Sequence, residues 1–170
     1  MGGYVLFEIL RSAPSYVSAI GLVSTRAGAD NDEGTRNRDK MIDLVTRDGV
    51  EAVAAQMVPK LLGATTQRDR PDVVTGVHAL VVENTRDGVR TAVTAMKERA
   101  DSTPMLGRID VPALIVHGTE DSLIPPSEAE TMHKGIGRAQ LELIPAAGHL
   151  PNLERPSAFE HKLWQFLNTL

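Results

Sequence analysis

Two residues stand out for the chemistry their surroundings allow. Asp121 sits in Gly118-Thr119-Glu120-Asp121-Ser122-Leu123-Ile124-Pro125, directly after the continuous apolar run Ala113 to His117. His149 sits in Ala146-Ala147-Gly148-His149-Leu150-Pro151-Asn152, directly after the alternating run Ala139 to Ile144. Open α/β sheets build their sites in loops at the carboxyl ends of parallel strands. If the two runs are neighbouring strands, their loops adjoin and Asp121 meets His149. A carboxylate accepting from one imidazole nitrogen fixes the tautomer and leaves the other nitrogen as a base. The pair is then the acid and base of a potential triad. The competing reading is plainer: an acid after a strand caps the next helix, and a Gly-His step in a loop is structural.

A triad also needs a nucleophile within reach of His149. Ser24 and Thr25 end a predicted strand over residues 16–24, on the site edge of the sheet, and Ser122 adjoins Asp121. Ser12, Ser15 and Ser18 fall toward the opposite end. Ser24 is the first choice among them, against the alternative of an ordinary strand-end hydroxyl bonded to backbone. Without a nucleophile, an Asp–His pair can still activate water, a general-base effect of about 10²–10⁴-fold.

The elements that must position these residues fall into four zones. Tyr4 to Leu10 is apolar almost all round, as in a helix covered on more than one side. Pro14 ends that helix, and the strand over 16–24 follows. Residues 26–108 carry four predicted amphipathic helices and no strand: Glu33–Asp48, Val50–Leu62 interrupted at Pro59, a stretch opening at Pro71 with Val73, Val77, Leu80 and Val81 on one face, and Thr85–Arg99. From Val111 the pattern alternates again. Ala113–His117 suits a parallel strand buried on both faces, and Pro126 opens a helix to about Lys134. Ala139–Ile144 suits a strand nearer an edge, and a last helix over 156–170 has Phe159, Leu163, Phe166 and Leu170 inward. The alternation argues for an α/β fold with a parallel sheet. The expected division is a core remnant of residues 1–25 and 109–170 with a helical lid inserted over 26–108.

Composition narrows the function. The chain has 170 residues, no cysteine, and 18 Lys+Arg against 22 Asp+Glu, a net charge of −4. A Cys nucleophile, a disulfide framework and a thiolate metal site are excluded. The mild acidic excess offers no footprint for nucleic acid or an anionic membrane. No apolar run approaches a membrane span, and no signal peptide opens the chain, so a cytoplasmic location is the default expectation. The histidines His78, His117, His133, His149 and His161 show no metal-ligand spacing, and His117 reads as a packed core residue. Gly2-Gly3 before a helix lacks the strand and the third glycine of a phosphate-binding turn. Met41, Met57 and Met96 on the lid helices line an acyl pocket or simply pack.

From Val111 to Leu170 the chain resembles the carboxyl-terminal part of the α/β-hydrolase superfamily, in particular lid-bearing esterases, enol-lactonases and haloperoxidases. The matching phrases are Val-Pro-Ala-Leu-Ile-Val-His-Gly-Thr-Glu-Asp-Ser-Leu-Ile-Pro and Ala-Ala-Gly-His-Leu-Pro-Asn-Leu-Glu-Arg-Pro. The resemblance implies that Asp121 is the triad acid and His149 the triad base, with Glu120 and Ser122 as solvated or capping neighbours. It implies hydrolysis of a small carboxylic ester or lactone without a cofactor or metal. Residues 26–108 match the family's lid in type only.

The family carries its serine in an elbow often written Gly-x-Ser-Met-Gly-Gly before a buried helix. The opening Met1-Gly2-Gly3-Tyr4 matches the end of that phrase. The expectation is a chain that starts one residue after the serine, with the nucleophile, the elbow strand and one oxyanion-hole loop missing and three strands remaining. The amide of the residue after the serine, the other oxyanion donor, would belong to Met1. An edge strand over 16–24 beside an apolar face then favours association. A homodimer through that edge is the economical expectation. A partner chain carrying the missing half is the second possibility, and a refolded first zone the third.

Overall fold

The computed structural model describes all 170 residues. Helix α1 (Gly2–Ser12) is followed by a 3-10 turn at Pro14–Tyr16 and strand β1 (Ile20–Val23). Five helices come next: α2 (Asp32–Asp48), α3 (Val50–Leu61), α4 (Ala64–Asp69), α5 (Pro71–Val82) and α6 (Arg86–Glu98). The chain then returns through a 3-10 turn at Thr103–Arg108 to β2 (Ala113–Gly118), α7 (Pro126–Gly135), β3 (Ala139–Ile144), the short α8 (Pro151–Glu154) and α9 (Pro156–Leu167).

The three strands are parallel in the order β1-β2-β3, with Ile20 opposite Ala113 and Ala113 opposite Ala139. Strand β2 is buried along its whole length, as its unbroken apolar run requires of a central parallel strand. On one face of the sheet, Phe7 and Leu10 of α1, Met132 of α7 and Ile136 just after it pack on Leu22 and Ile115. On the other, Phe166 of α9 packs on Leu114, Val116 and Ile144. The inserted helices have a small core of their own, with Ala54, Val58, Leu62 and Val77 at its centre. Local signals set their ends. Asn31 caps α2 by accepting from the Gly34 N–H at 2.8 Å, and Thr85 caps α6 by accepting from Gly88 at 3.0 Å.

Five expectations need correction. The strand over 16–24 shrinks to Ile20–Val23, because Pro14 starts a turn and leaves Tyr16 solvent-exposed. Helix α1 buries Phe7 and Leu10 but exposes Val5 and Ile9, so its apolar circumference exceeds the cover it receives. The stretch between β1 and β2 has five helices, not four; α4 is six residues, all polar but Ala64, with no apolar period to reveal it. Pro59 does not interrupt α3, which runs through it to Leu61. Leu80 and Leu170 point to solvent rather than to the faces assigned to them. The far edge of β1 has no strand beside it.

Candidate active site

The β2 and β3 carboxyl ends lie side by side, and the loops that leave them hold Asp121 and His149 together. His149 Nδ1 lies 2.9 Å from Asp121 Oδ2. An ionised carboxylate only accepts, so Nδ1 donates and Nε2 is left as a free base. The Asp121 side chain is fully buried, and the imidazole keeps 17% of its surface accessible. The other Asp121 oxygen, Oδ1, accepts from the N–H groups of Leu123 at 2.9 Å and Ile124 at 3.0 Å. Asp121 therefore does not cap α7, which begins at Pro126: one oxygen shapes its own loop, and the other contacts the imidazole.

His117 is the buried core residue its strand position implies, but it also faces the acid. Its Nε2 lies 2.8 Å from the Ile124 carbonyl and 3.4 Å from Asp121 Oδ2. A carbonyl can only accept, so Nε2 carries the proton, and the buried Nδ1 has no partner.

The histidine loop is shaped by groups that sequence reasoning missed. Glu154 is fully buried. Its Oε1 accepts from the N–H groups of Gly148 at 2.8 Å and Leu150 at 3.1 Å, on either side of His149. Its Oε2 accepts from the N–H of Gly63 at 2.8 Å, at the corner between α3 and α4. The His149 N–H itself donates to the Leu61 carbonyl at 3.0 Å. The corner also grips the acid loop: Glu120 accepts from Thr65 Oγ1–H at 2.6 Å and Thr65 N–H at 2.8 Å. These bonds, the hydroxyl first and the amide second, hold its carboxyl below the ordinary glutamate range. Of the two expectations for Glu120, solvated or capping, it takes the second: it accepts from the first turn of α4 and ties the two loops together. Ser122 is exposed, and its hydroxyl donates to the Lys60 carbonyl at 3.3 Å.

Close approach makes glycine necessary here. A Cβ on Gly148 would stand 2.3 Å from the Gly63 nitrogen, and one on Gly118 would stand 2.1 Å from the Gly148 oxygen. Gly148→Ala is expected to force the histidine loop off the helical corner and cost about 1–3 kcal/mol, as overpacking does. Denaturant unfolding checks the magnitude, and unchanged stability would contradict the contact.

Ser24 is placed differently. It follows the last residue of β1 with φ at 43°, in the left-handed region that costs a residue with a side chain. It is buried, and its Oγ makes no hydrogen bond, nor does the Oγ1 of Thr25. Thr25 packs against the bare Cα of Gly3. The imidazole of His149 hydrogen-bonds Asp121 alone, so neither hydroxyl is engaged by it.

A cavity of about 620 Å³ opens among α2, α3, α5 and α6. Leu61 and Leu123, neighbours of the His149 and Asp121 contacts, form part of its wall, and Met41, Met57 and Met96 line it. The three methionines therefore face a cavity rather than only packing helix to helix.

Beside this cavity, Asp30 collects three guanidiniums. Its Oδ1 accepts from Arg26 and from Arg99 Nη2, and its Oδ2 from Arg38 Nε at 2.9 Å and Arg99 Nη1 at 3.0 Å. Arg99 lies over the Tyr4 ring, 4.2 Å from its centroid. That contact sets the cluster against the first turn of α1, and burial, then the charges of Arg38 and Arg99, lower the Met1 α-amine from its usual value. Burial opposes ionisation of Asp30, yet the hydrogen bonds from Arg99 and Arg38 outweigh it and hold the carboxyl at about 2. The folded value lies below the unfolded one. The contribution to stability is therefore complete above about pH 4 and is lost as the pH falls through about 2. Asp30→Asn is expected to flatten acid unfolding in that window and lower stability at neutral pH. An unchanged acid limb would contradict the linkage.

This geometry can be set beside known proteins. A family model described as the alpha/beta hydrolase fold matches residues 1–156. The chain belongs to the α/β-hydrolase fold family. A Bacillus subtilis relative, named for 2-succinyl-6-hydroxy-2,4-cyclohexadiene-1-carboxylate synthesis, is 29% identical over 178 residues, covering 100% of this chain and 64% of its own. A 3-oxoadipate enol-lactonase of Acinetobacter baylyi is 26% identical over 118 residues, covering 69% of this chain and 43% of its own. A thermophilic esterase from Thermogutta terrifontis, solved with malate bound, superposes with a TM-score of 0.94 at 33% identity, covering 99% of this chain and 62% of that one. This α/β-hydrolase chain thus spans just under two thirds of the length of the Bacillus relative and of the Thermogutta esterase, and less than half of the Acinetobacter enol-lactonase. No helix is long and apolar enough to cross a membrane.

Proposed function

We propose that the chain hydrolyses small carboxylic esters or lactones, with Asp121 as the orienting acid and His149 as the general base of a serine triad. The observation that carries this is the 2.9 Å contact between His149 Nδ1 and Asp121 Oδ2, which leaves Nε2 free, with Leu61 and Leu123 joining the pair's loops to a cavity of mixed lining. Relatives named as an esterase and an enol-lactonase support it. Helices α2 to α6, within residues 26–108, act as the lid, and residues 1–25 and 109–170 as the core.

The nucleophile in this reading is a serine recruited within the assembly, as the elbow before such a helix supplies it in the family. The open edge of β1 and the exposed Val5, Ile9 and Val23 mark the face that such a segment, or a second copy of this chain, would cover. A second reading keeps the nucleophile within the 170 residues. Ser24 is then recruited on association, which its unpartnered buried Oγ and left-handed backbone favour. A third makes the chain a non-catalytic, self-associating domain.

Hydrolysis of p-nitrophenyl acetate tests the proposal, measured on the purified chain alone and with an elbow-bearing amino-terminal segment supplied. Activity that depends on His149 supports the triad. Activity that survives His149→Ala, or none in either preparation, removes it. Sedimentation tests the association: a monomer whose β1 amides exchange freely would count against the homodimer.

A further inference from the structure

We infer that Arg26 and Arg38, held in place by Asp30, form a carboxylate-binding subsite in the cavity, so that the ester or lactone this chain takes carries a free carboxylate away from its scissile bond. The inference rests on the ester-hydrolase reading for its substrate, but not for its binding site.

The first observation is an imbalance. Both oxygens of Asp30 are occupied, and they serve three guanidiniums at once. One carboxylate cannot neutralise three cations, and the cluster is half-buried or deeper: the side chains of Arg26, Arg38 and Arg99 are 25%, 26% and 6% exposed. Burying like charges together is costly unless an anion joins them.

The second observation is what the bonds to Asp30 leave over. Arg38 spends only its Nε–H there, and its two terminal amino groups have no partner in the protein. Arg26 gives one terminal amino group, and its buried Nε is unpartnered. Arg99 differs, because its terminal groups also bond the carbonyls of Met96 at 2.6 Å and Gly28 at 2.9 Å. Arg99 is the anchor, stacked on Tyr4; Arg38 keeps its outer edge free, and Arg26, its Nε buried, keeps one terminal amino group. A guanidinium fixed along one edge presents the other edge to a planar, two-oxygen acceptor, and that bidentate match selects a carboxylate.

The third observation is where the forks lie. Arg26 and Arg38 both line the 620 Å³ cavity, with Lys40 and Lys60, against the carboxylates of Asp30 and Glu33. The volume falls within the range of about 300–1,000 Å³ typical of small-molecule sites. Its apolar wall ends at Leu123, whose N–H bonds Asp121. The arginines and the Leu61–Leu123 wall, whose backbones bond His149 and Asp121, therefore border one space.

The test is a titration of the folded chain with monomethyl glutarate, followed by backbone and arginine Nε–H NMR signals, with dimethyl glutarate as the neutral comparison. The half-ester is expected to bind at least tenfold more tightly and to move the Arg38 signal. Arg38→Gln is expected to lose at least tenfold in affinity for the half-ester and nothing for the diester, and Arg38→Lys, a charge without the fork, to fall between. Arg26→Gln repeats the comparison if Arg38→Gln does not fold. Equal affinity for half-ester and diester, or unchanged half-ester binding in the folded variants, overturns the subsite. The titration needs no nucleophile, so its failure is separable from failure of the triad.

Discussion

Asp121→Asn, assayed with the elbow-bearing segment supplied, is expected to lower kcat for ester hydrolysis by about 10³–10⁴-fold with little change in KM. The physical reason lies in the two oxygens of Asp121. Oδ1 accepts from the Leu123 and Ile124 amides, and Oδ2 from His149. An asparagine can keep its oxygen on the two amides and turn its NH2 toward the imidazole. The loop then survives while Nδ1 is forced to accept, which places the proton on Nε2 where the base is needed. A purely structural Asp121 would show the opposite split: lost stability and unaltered turnover per folded molecule. His149→Ala is expected to fall at least as far, since it removes the base itself.

Glu154→Ala is the second large effect. It leaves the N–H groups of Gly63, Gly148 and Leu150 without their acceptor. Unsatisfied buried donors cost about 1–3 kcal/mol each, so a loss of about 3–5 kcal/mol is expected after partial relaxation. That is a large share of the roughly 5–15 kcal/mol that separates folded from unfolded domains. Glu154→Gln sharpens the argument. Both oxygens accept, so whichever becomes NH2 must face a donor, and the amide variant is expected to lose nearly as much as alanine. Hydrogen exchange should localise the damage to Gly63 and the residues around His149. A glutamine variant as stable as the parent would show that Glu154 merely fills space.

The two strands that carry the chemistry were legible because each is a local pattern. Ala113–His117 is an unbroken apolar run and Ala139–Ile144 an alternating one, and the structure places β2 and β3 on those residues. Asp121 and His149 followed from the loops after them and from the resemblance. What stayed hidden depends on distant partners. Glu154 reads as one acid in a helical stretch, and only folding sets it against Gly63, 91 positions earlier. Asp30 and Arg99 sit 69 positions apart and look like two ordinary surface charges. Helix α4 escaped because its stability comes from docking, with Thr65 held by Glu120, and not from an apolar stripe. The strand over 16–24 reads too long because branched residues and Tyr16 suit a strand, while the turn imposed at Pro14 takes up its first positions. Helix α1 shows the converse, since its all-round apolar surface called for more cover than β1, β2 and α7 provide.

The most direct test of the Asp121–His149 pair as the acid and base of a serine hydrolase is intact-mass analysis after exposure to a fluorophosphonate probe. The purified chain, alone and with the elbow-bearing segment, would be compared with its His149→Ala variant and with denatured protein. One adduct per active unit is expected, on the elbow serine or on Ser24 by peptide mapping, and absent from both controls. Folded material that takes up no probe in either preparation, or an adduct that persists in His149→Ala, would contradict the pair's catalytic role.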